Sequence, residues 1–210
     1  MTDRDDLLPY HRNLGRSLRD VLLAHGVFTE EELARAIAEI DAPTPGNGAR
    51  LVARAWVDAA FKARLLEDPK SAAAELGIDT GPRQVRVLES TAALHNVIVC
   101  TLCSCYPRFL LGQPPAWYKS RPYRSRVVRE PRAVLAEFGT DIADDVVVRV
   151  HDSTAELRYM VLPLRPPGSD GMDEAALAAL VTRDSLIGVA LVHPPAANPT
   201  AAGPATGSQA

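Results

Sequence analysis

The three cysteines of this 210-residue chain fall within six positions, in the run Cys100-Thr101-Leu102-Cys103-Ser104-Cys105. Thiolates spaced Cys-x-x-Cys-x-Cys converge only where the backbone curls tightly, and the small residues Thr101 and Ser104 allow that. The short second interval is the informative one. A metal between Cys103 and Cys105 brings the backbone nitrogens of Ser104 and Cys105 close to it. The Cys105 nitrogen and sulfur close a five-membered chelate ring, as do the two successive nitrogens, and the Cys103 sulfur with the Ser104 nitrogen closes a six-membered one. The peptide therefore offers Cys100, Cys103, Ser104 and Cys105 as ligands, through three sulfurs and two deprotonated amides, and leaves one octahedral position open. Such a strong-field set suits trivalent, low-spin cobalt or iron better than zinc, which prefers four tetrahedral ligands. A thiolate beside a metal and open to solvent can climb to sulfenic or sulfinic acid. The open position acts as a Lewis acid or activates a nucleophile. Spacing alone leaves other readings open. Zinc could be held by the three cysteines with His95 or His151. The thiols could simply be buried behind a Val-Ile-Val strand. A thiol–disulfide pair is a weaker fit, since no helix begins at Cys100 to lower its pKa.

The elements that must position this cluster follow from periodicity. Leu14, Leu18, Val21 and Leu22 recur at helical intervals, with Gly26 as a stop. Thr29 and Glu32 predict a capping box that opens a second helix carrying Leu33, Ala36, Ile37 and Ile40. Ala42 to Gly48, rich in Pro and Gly, reads as a linker, followed by a helix from about Ala49 to Leu66 and a short one from Ser71 to Leu76. Beyond Gly81 the period changes. Strands are expected around Val85–Val87 and Val97–Val99, with the cysteines directly after the second, then at Val146–Val150, Leu157–Leu162 and Leu186–Val192. Helices are expected over Arg132–Phe138 and Asp173–Val181. The fold class predicted is α+β: a helical N-terminal arm over 1–80, a layered, sandwich-like α+β domain carrying the metal site over 81–192, and a disordered tail over 193–210. An amphipathic arm set off by such a linker either folds back on its own domain or wraps a partner subunit.

Hydrophobic residues make up 47% of the chain and charged residues 23%, the proportions of a soluble globular protein. The net charge of −3 calls for neither nucleic acid nor an anionic membrane as partner. No stretch approaches the roughly 20 apolar residues that span a bilayer. The acidic start, Met1 to Asp6, leads into no secretory apolar run. The expected location is cytoplasmic, where clustered cysteines are metal or redox sites rather than staples.

The segment Val99-Cys100-Thr101-Leu102-Cys103-Ser104-Cys105-Tyr106-Pro107 resembles the metal-binding segment of nitrile hydratase α subunits, and of the equivalent subunit of thiocyanate hydrolase. Leu111-Gly112, Pro115, Trp117-Tyr118 and Tyr123 to Arg132 are similar to the family's next segment. So are Asp152 to Tyr159, Leu162-Pro163, Arg165-Pro166 and Val181 to Val189. The likeness runs from about residue 85 to 190, and more weakly from Ala49 to Gly77.

The resemblance implies the nitrile hydratase α-chain fold and a lyase that adds water to a nitrile to give an amide. Cys100 would be the axial thiolate, Cys103 a sulfinate and Cys105 a sulfenate, with the Ser104 and Cys105 amides completing the plane. Thr101 at the claw's second position implies cobalt, Co(III), one per chain, where Ser would imply iron. Cys105 and Cys103 are then the catalytic residues, the Cys105 oxygen serving as nucleophile or as base for a water. The family also implies a β subunit, as one chain or two split chains, whose arginines bond the oxidised sulfurs. The resemblance also implies a cobalt-insertion chaperone as a further partner.

The chain departs from the family's pattern in places. Arg108-Phe109 stands where relatives commonly have Trp-Pro, and Arg108 with Gln113 looks more like the thiocyanate hydrolase version. Arg129-Glu130-Pro131-Arg132 and the histidine-poor N-terminus look more like nitrile hydratase. Gly81-Pro82 occupies the place of a common Gln. The run Arg121, Arg124, Arg126, Arg129, Arg132 is expected to be a solvated or interface face rather than a nucleic-acid patch, and Asp152, Glu156 and Arg158 either bridge strand ends or support the site. A zinc-binding interaction module is the alternative of another class.

Overall fold

The computed structural model describes residues 8–194, so the expected tail lies almost wholly outside the described residues. Contacts divide the chain at Ala42/Pro43. The N-terminal piece holds α1 (Leu8–Ala24) and α2 (Glu30–Asp41). The capping box forms as the spacing predicts: the Glu32 amide donates to Thr29 Oγ1 at 3.1 Å, and the Thr29 amide donates to Glu32 Oε2 at 2.8 Å. Two orphan donors of the first turn are thereby satisfied. The apolar stripe of α1, Leu14, Leu18 and Val21, is exposed, and α2 has no buried residue.

The second piece starts earlier than the composition suggests. Thr44 Oγ1 accepts from the Gly46 amide and Pro45 takes the first helical position, so α3 spans Pro45–Val57 and absorbs most of the expected linker. Gly48 is needed inside α3 because an added Cβ would sit 2.7 Å from Leu186 Cδ1 and 3.1 Å from the Leu110 carbonyl. The single helix expected to Leu66 is broken at Asp58, which ends α3 and caps α4 (Ala59–Glu67) by accepting from the Phe61 amide at 2.9 Å. Asp68 repeats the device for α5 (Pro69–Glu75). Asp58→Ala is expected to cost about 1 kcal/mol, the usual worth of an N-cap, read as a lower urea midpoint at unchanged slope.

Two parallel strand pairs form the centre. β1 (Gln84–Glu89) pairs with β4 (Leu157–Leu162), Gln84 opposite Leu157 and Glu89 opposite Leu162. β2 (Leu94–Val99) pairs with β3 (Val147–Asp152), Leu94 opposite Val147 and Val99 opposite Asp152. Between β2 and β3 run α6 (Arg108–Leu111), α7 (Ala116–Lys119), α8 (Arg121–Arg126) and α9 (Pro131–Glu137); α10 (Glu174–Leu180) and α11 (Arg183–Ile187) follow β4. One apolar core joins Leu51, Phe61 and Leu65 of α3 and α4 to Ile98, Tyr118, Leu135, Met160, Leu162 and Leu186. The helices over 45–75 therefore share the core of the strands.

The last expected strand, Leu186–Val192, does not form: Leu186 and Ile187 end the short helix α11, and 188–192 are turn, bend and irregular chain. Thr182 Oγ1 accepts from the Ser185 amide at 3.2 Å while Ser185 Oγ accepts from the Thr182 amide at 3.1 Å, which starts α11, and Gly188 closes it at φ 89°. Leu186, Ile187 and Val189 are all buried, and an apolar run buried on every side carries no period that separates strand from helix. The helices α6 to α8 were not expected because four to six residues are too few to show a 3.6-residue repeat.

Candidate metal centre

Val97, Ile98 and Val99 are fully buried, so β2 is anchored on both faces and delivers Cys100, 1% exposed, to its carboxyl end. The ladder continues one step further, the Ser153 amide donating to the Val99 carbonyl at 2.7 Å. After this rigid support the chain turns back on itself. Cys100 Sγ lies 3.4 Å from Cys103 Sγ, and Cys103 Sγ lies 3.1 Å from Cys105 Sγ. Cys100 is buried, Cys105 half-buried and Cys103 exposed, so the cluster opens to one side.

The cluster fits a metal held at right angles. Two sulfurs about 2.3 Å from one ion stand about 3.3 Å apart at 90° and about 3.8 Å apart at the tetrahedral angle. The two short sulfur separations match the first figure. The backbone N–H groups of Ser104 and Cys105 also favour the ionised Cys103 sulfur. The Cys103 amide faces Cys100 Sγ at 3.3 Å. In the metal-free cluster, hydrogen bonds from Cys105 and then Cys100 lower the Cys103 thiol to about 7, while burial, with Cys103 opposing ionisation, pushes Cys105 up to about 12. Arg158 works against that rise in Cys105.

No histidine joins the group among the described residues. His95 is buried with Nε2 2.7 Å from the Gly188 carbonyl, and His151 Nε2 is 2.9 Å from Asn96 Oδ1. Burial holds both rings below the usual histidine pKa. Each is committed to its own buried contact, which removes the fourth ligand that the zinc reading needed.

Around the cysteines the structure adds residues that spacing did not reveal. Asp152 accepts from the Thr101 amide at 2.9 Å and from Thr101 Oγ1 at 2.5 Å. Arg124 donates to the Thr101 carbonyl at 3.2 Å. Tyr118 donates to the Cys105 carbonyl at 3.0 Å, and Tyr123 to the Ile98 carbonyl at 2.7 Å. Both phenols are raised above the usual tyrosine range by burial. Tyr106 packs edge-on against Tyr118 at 4.9 Å between centroids. Tyr106, Tyr118, Tyr123, Arg124 and Asp152 all lie in the segments that carry the resemblance; what only the fold supplies is their aim, the Tyr118 and Tyr123 hydroxyls and Arg124 at carbonyls and the Asp152 carboxylate at Thr101.

A cavity of about 310 Å³ opens at the exposed side, lined by Cys103, Ser104 and Cys105 with Arg108, Gln113 and Arg158. Arg108 stacks over Phe109 at 5.1 Å. Phe109 in turn covers Gly81: a Cβ there would lie 2.4 Å from the Phe109 ring, and Gly81 has φ 81°. The two departures from the family's pattern, at 81 and at 108–109, are thus one packed feature. Glu156 is exposed and pairs with Arg83 at 3.4 Å, while Arg158 donates to the Thr154 and Leu157 carbonyls. The basic run is largely used internally. Arg126 pairs with Glu130 and Glu137, Arg129 donates to the Ser125 carbonyl, and Arg132 donates to the carbonyls of Ile142, Ala143 and Val146.

Among the described residues no helix is long and apolar enough to cross a membrane. The family described as nitrile hydratase, alpha chain, matches residues 10–190. The chain is 57% identical over 153 residues to the low-molecular weight cobalt-containing nitrile hydratase subunit alpha of Rhodococcus rhodochrous, covering 72% of this chain and 73% of that protein. It is 43% identical over 193 residues to the thiocyanate hydrolase subunit gamma of Thiobacillus thioparus, covering 86% of this chain and 79% of that protein. Among solved structures, a double mutant of the Fe-type nitrile hydratase from Comamonas testosteroni Ni1 superposes with a TM-score of 0.84 at 40% identity, over 96% of this chain and 99% of that one. A match spanning the helices, both strand pairs and the cysteine turn places the chain in the nitrile hydratase alpha-chain family, whose members are enzyme subunits.

Proposed function

We propose that this chain is the metal-carrying α subunit of a cobalt nitrile hydratase, converting a nitrile to its amide. The observation that carries the reading is the cysteine turn: three sulfurs within reach of one ion, two of their separations at right-angle spacing. The cobalt-containing relatives and Thr101 favour Co(III), one per chain, over the iron of the Fe-type neighbour. The metal would be held by Cys100, Cys103, Ser104 and Cys105, and when bound supplies a Lewis acid for the nitrile nitrogen.

The chain's own residues do the rest. Cys103 and Cys105 line the cavity, where oxidation by dioxygen to sulfinate and sulfenate would give them oxygens. The Cys105 oxygen would then either attack the nitrile carbon, with water afterwards attacking that sulfur to break the S–O bond, release the imidic acid and restore the sulfenate, or take a proton from a water that attacks the carbon itself. Tyr118 keeps the Cys105 carbonyl in place, which orients that sulfur toward the cavity. Arg158 and Arg108 make the mouth electropositive. In this reading a β subunit, as one chain or two, closes the cavity with its own arginines. The exposed stripe of α1 is the part of the arm that reaches it, cobalt is inserted with a chaperone's help, and the complex works in the cytoplasm.

A second reading, thiocyanate hydrolysis, is favoured by one feature. Arg108 lines the mouth with its guanidinium over the Phe109 ring, a positive charge suited to an anionic substrate. Elemental analysis and intact mass of the chain purified with its partner are expected to give one cobalt and a gain of about three oxygens, two on Cys103 and one on Cys105. Turnover of nitriles is expected in the same preparation. Consumption of thiocyanate alone would move the assignment to the second reading. Stoichiometric zinc with unmodified thiols would replace both with a zinc-binding interaction module.

A further inference from the structure

Thr101 supplies no ligand in the arrangement above, yet it is the most firmly gripped residue of the turn. Its amide and its hydroxyl both donate to one carboxylate, Asp152, through Oδ1 at 2.9 Å and Oδ2 at 2.5 Å. Its carbonyl accepts from Arg124 Nη1 at 3.2 Å. We propose that Asp152 and Arg124 are positioning residues that preset the cysteine turn for its metal, acting through the hydroxyl and backbone of Thr101. The purpose assigned to this brace rests on the metal reading given above.

The two jaws belong to the rigid part of the fold. Asp152 is the last residue of β3 and stands in register with Val99, so its distance from Cys100 is set by the parallel ladder and by the Ser153-to-Val99 bond that extends it. Arg124 sits on α8, whose neighbouring Tyr123 is buried and donates to the Ile98 carbonyl of β2. Both jaws are therefore tied to the strand that ends in Cys100. Thr101 and Asp152 are exposed in the isolated chain, where a single hydrogen bond competes with water. Three bonds to one residue, from partners fixed in advance, restrict it where one would not. With the Thr101 amide committed to Asp152, the Cys103 amide is the one that faces Cys100 Sγ, at 3.3 Å. The convergence of the three thiolates is then partly prepared before metal arrives, and preorganisation of this kind strengthens binding by reducing what must be ordered.

The brace depends on the hydroxyl, which separates it from any role of the threonine methyl. Cobalt(II) titration of the full-length, reduced chain under anaerobic conditions, followed by thiolate-to-cobalt absorption, reads the effect directly. Thr101→Val is expected to weaken cobalt(II) binding by about tenfold or more, the scale seen when support of a metal ligand is removed. Thr101→Ser, which keeps both donors, is expected to restore binding to within about twofold, the weakening being tied to the hydroxyl alone. Asp152→Asn and Arg124→Gln should each weaken binding and alter the absorption bands, while far-ultraviolet dichroism and the unfolding midpoint stay near those of the unsubstituted chain. Should Thr101→Val fold poorly, Asp152→Asn decides the matter alone. The brace is overturned if Thr101→Val or Asp152→Asn binds as tightly with an unchanged spectrum, or if Thr101→Ser loses as much as Thr101→Val. Absence of cobalt both from the titrated chain and from the chain purified with its partner overturns the metal reading itself, and the brace's purpose with it.

Discussion

Cys105→Ser, assayed in the assembled complex, is expected to lower kcat/KM for nitrile hydration by about 10⁴-fold or more, the scale of losing a nucleophile from a site that works as a unit. In the proposed mechanism two functions vanish together. The hydroxyl of serine is a poor substitute for a thiolate ligand, and it cannot carry the additional oxygen that a sulfenate brings. The backbone nitrogen of residue 105 remains, so the loss of activity is expected to exceed the loss of cobalt. Measuring metal content beside the kinetics separates these effects. The geometry gives a reason to expect so large a change at this cysteine. Cys105 is half-buried, lines the cavity with Cys103, and has its carbonyl fixed by Tyr118. A variant that kept more than about a tenth of the activity would remove the Cys105 oxygen from the mechanism.

Gly188→Ala is expected to be the most damaging small change to stability. Gly188 closes α11 at φ 89°, where an L-residue costs about 1–2 kcal/mol. An added Cβ would also lie 2.0 Å from the Asn96 carbonyl oxygen and 3.0 Å from Val97 Cα. These are backbone atoms of the buried strand β2, and they cannot turn aside as a side chain would. Forcing extra volume into packed structure costs about 1–3 kcal/mol more. The sum, about 2–5 kcal/mol, corresponds to a fall in Tm of roughly 5–15 °C for a chain of this size. Gly77→Ala serves as the control, since Gly77 also has positive φ but nothing stands within 4 Å of its would-be Cβ. It should lose only about 1–2 kcal/mol. Equal losses in the two variants would show that the approach of Gly188 to β2 is not tight. Because β2 ends in Cys100, movement at Gly188 is also expected to reach the cysteine turn.

Some of this protein is written in local sequence. The Thr29/Glu32 box, the strand before Cys100 and the helix after Pro131 depend on neighbours a few residues apart, and each is found in place. The cysteine cluster at 100–105 was equally legible, because three thiols within six positions need no distant partner to meet. Where the reading missed, the deciding contact was remote or the element too short. Asp58 splits one helix into two through its own side chain, while the helical state of 183–187 follows from a local cap hidden in an apolar run. The grip on Thr101 needs β3, 51 residues later in the chain, to lie in register beside β2. Gly81 and Phe109 read as two separate oddities until the fold laid one on the other. The gathering of the three cysteines is thus specified by the sequence itself. Its direction, its bracing and its open side were decided by tertiary structure, because hydrogen bonds and packing between remote segments, not local spacing, determine where a short turn points.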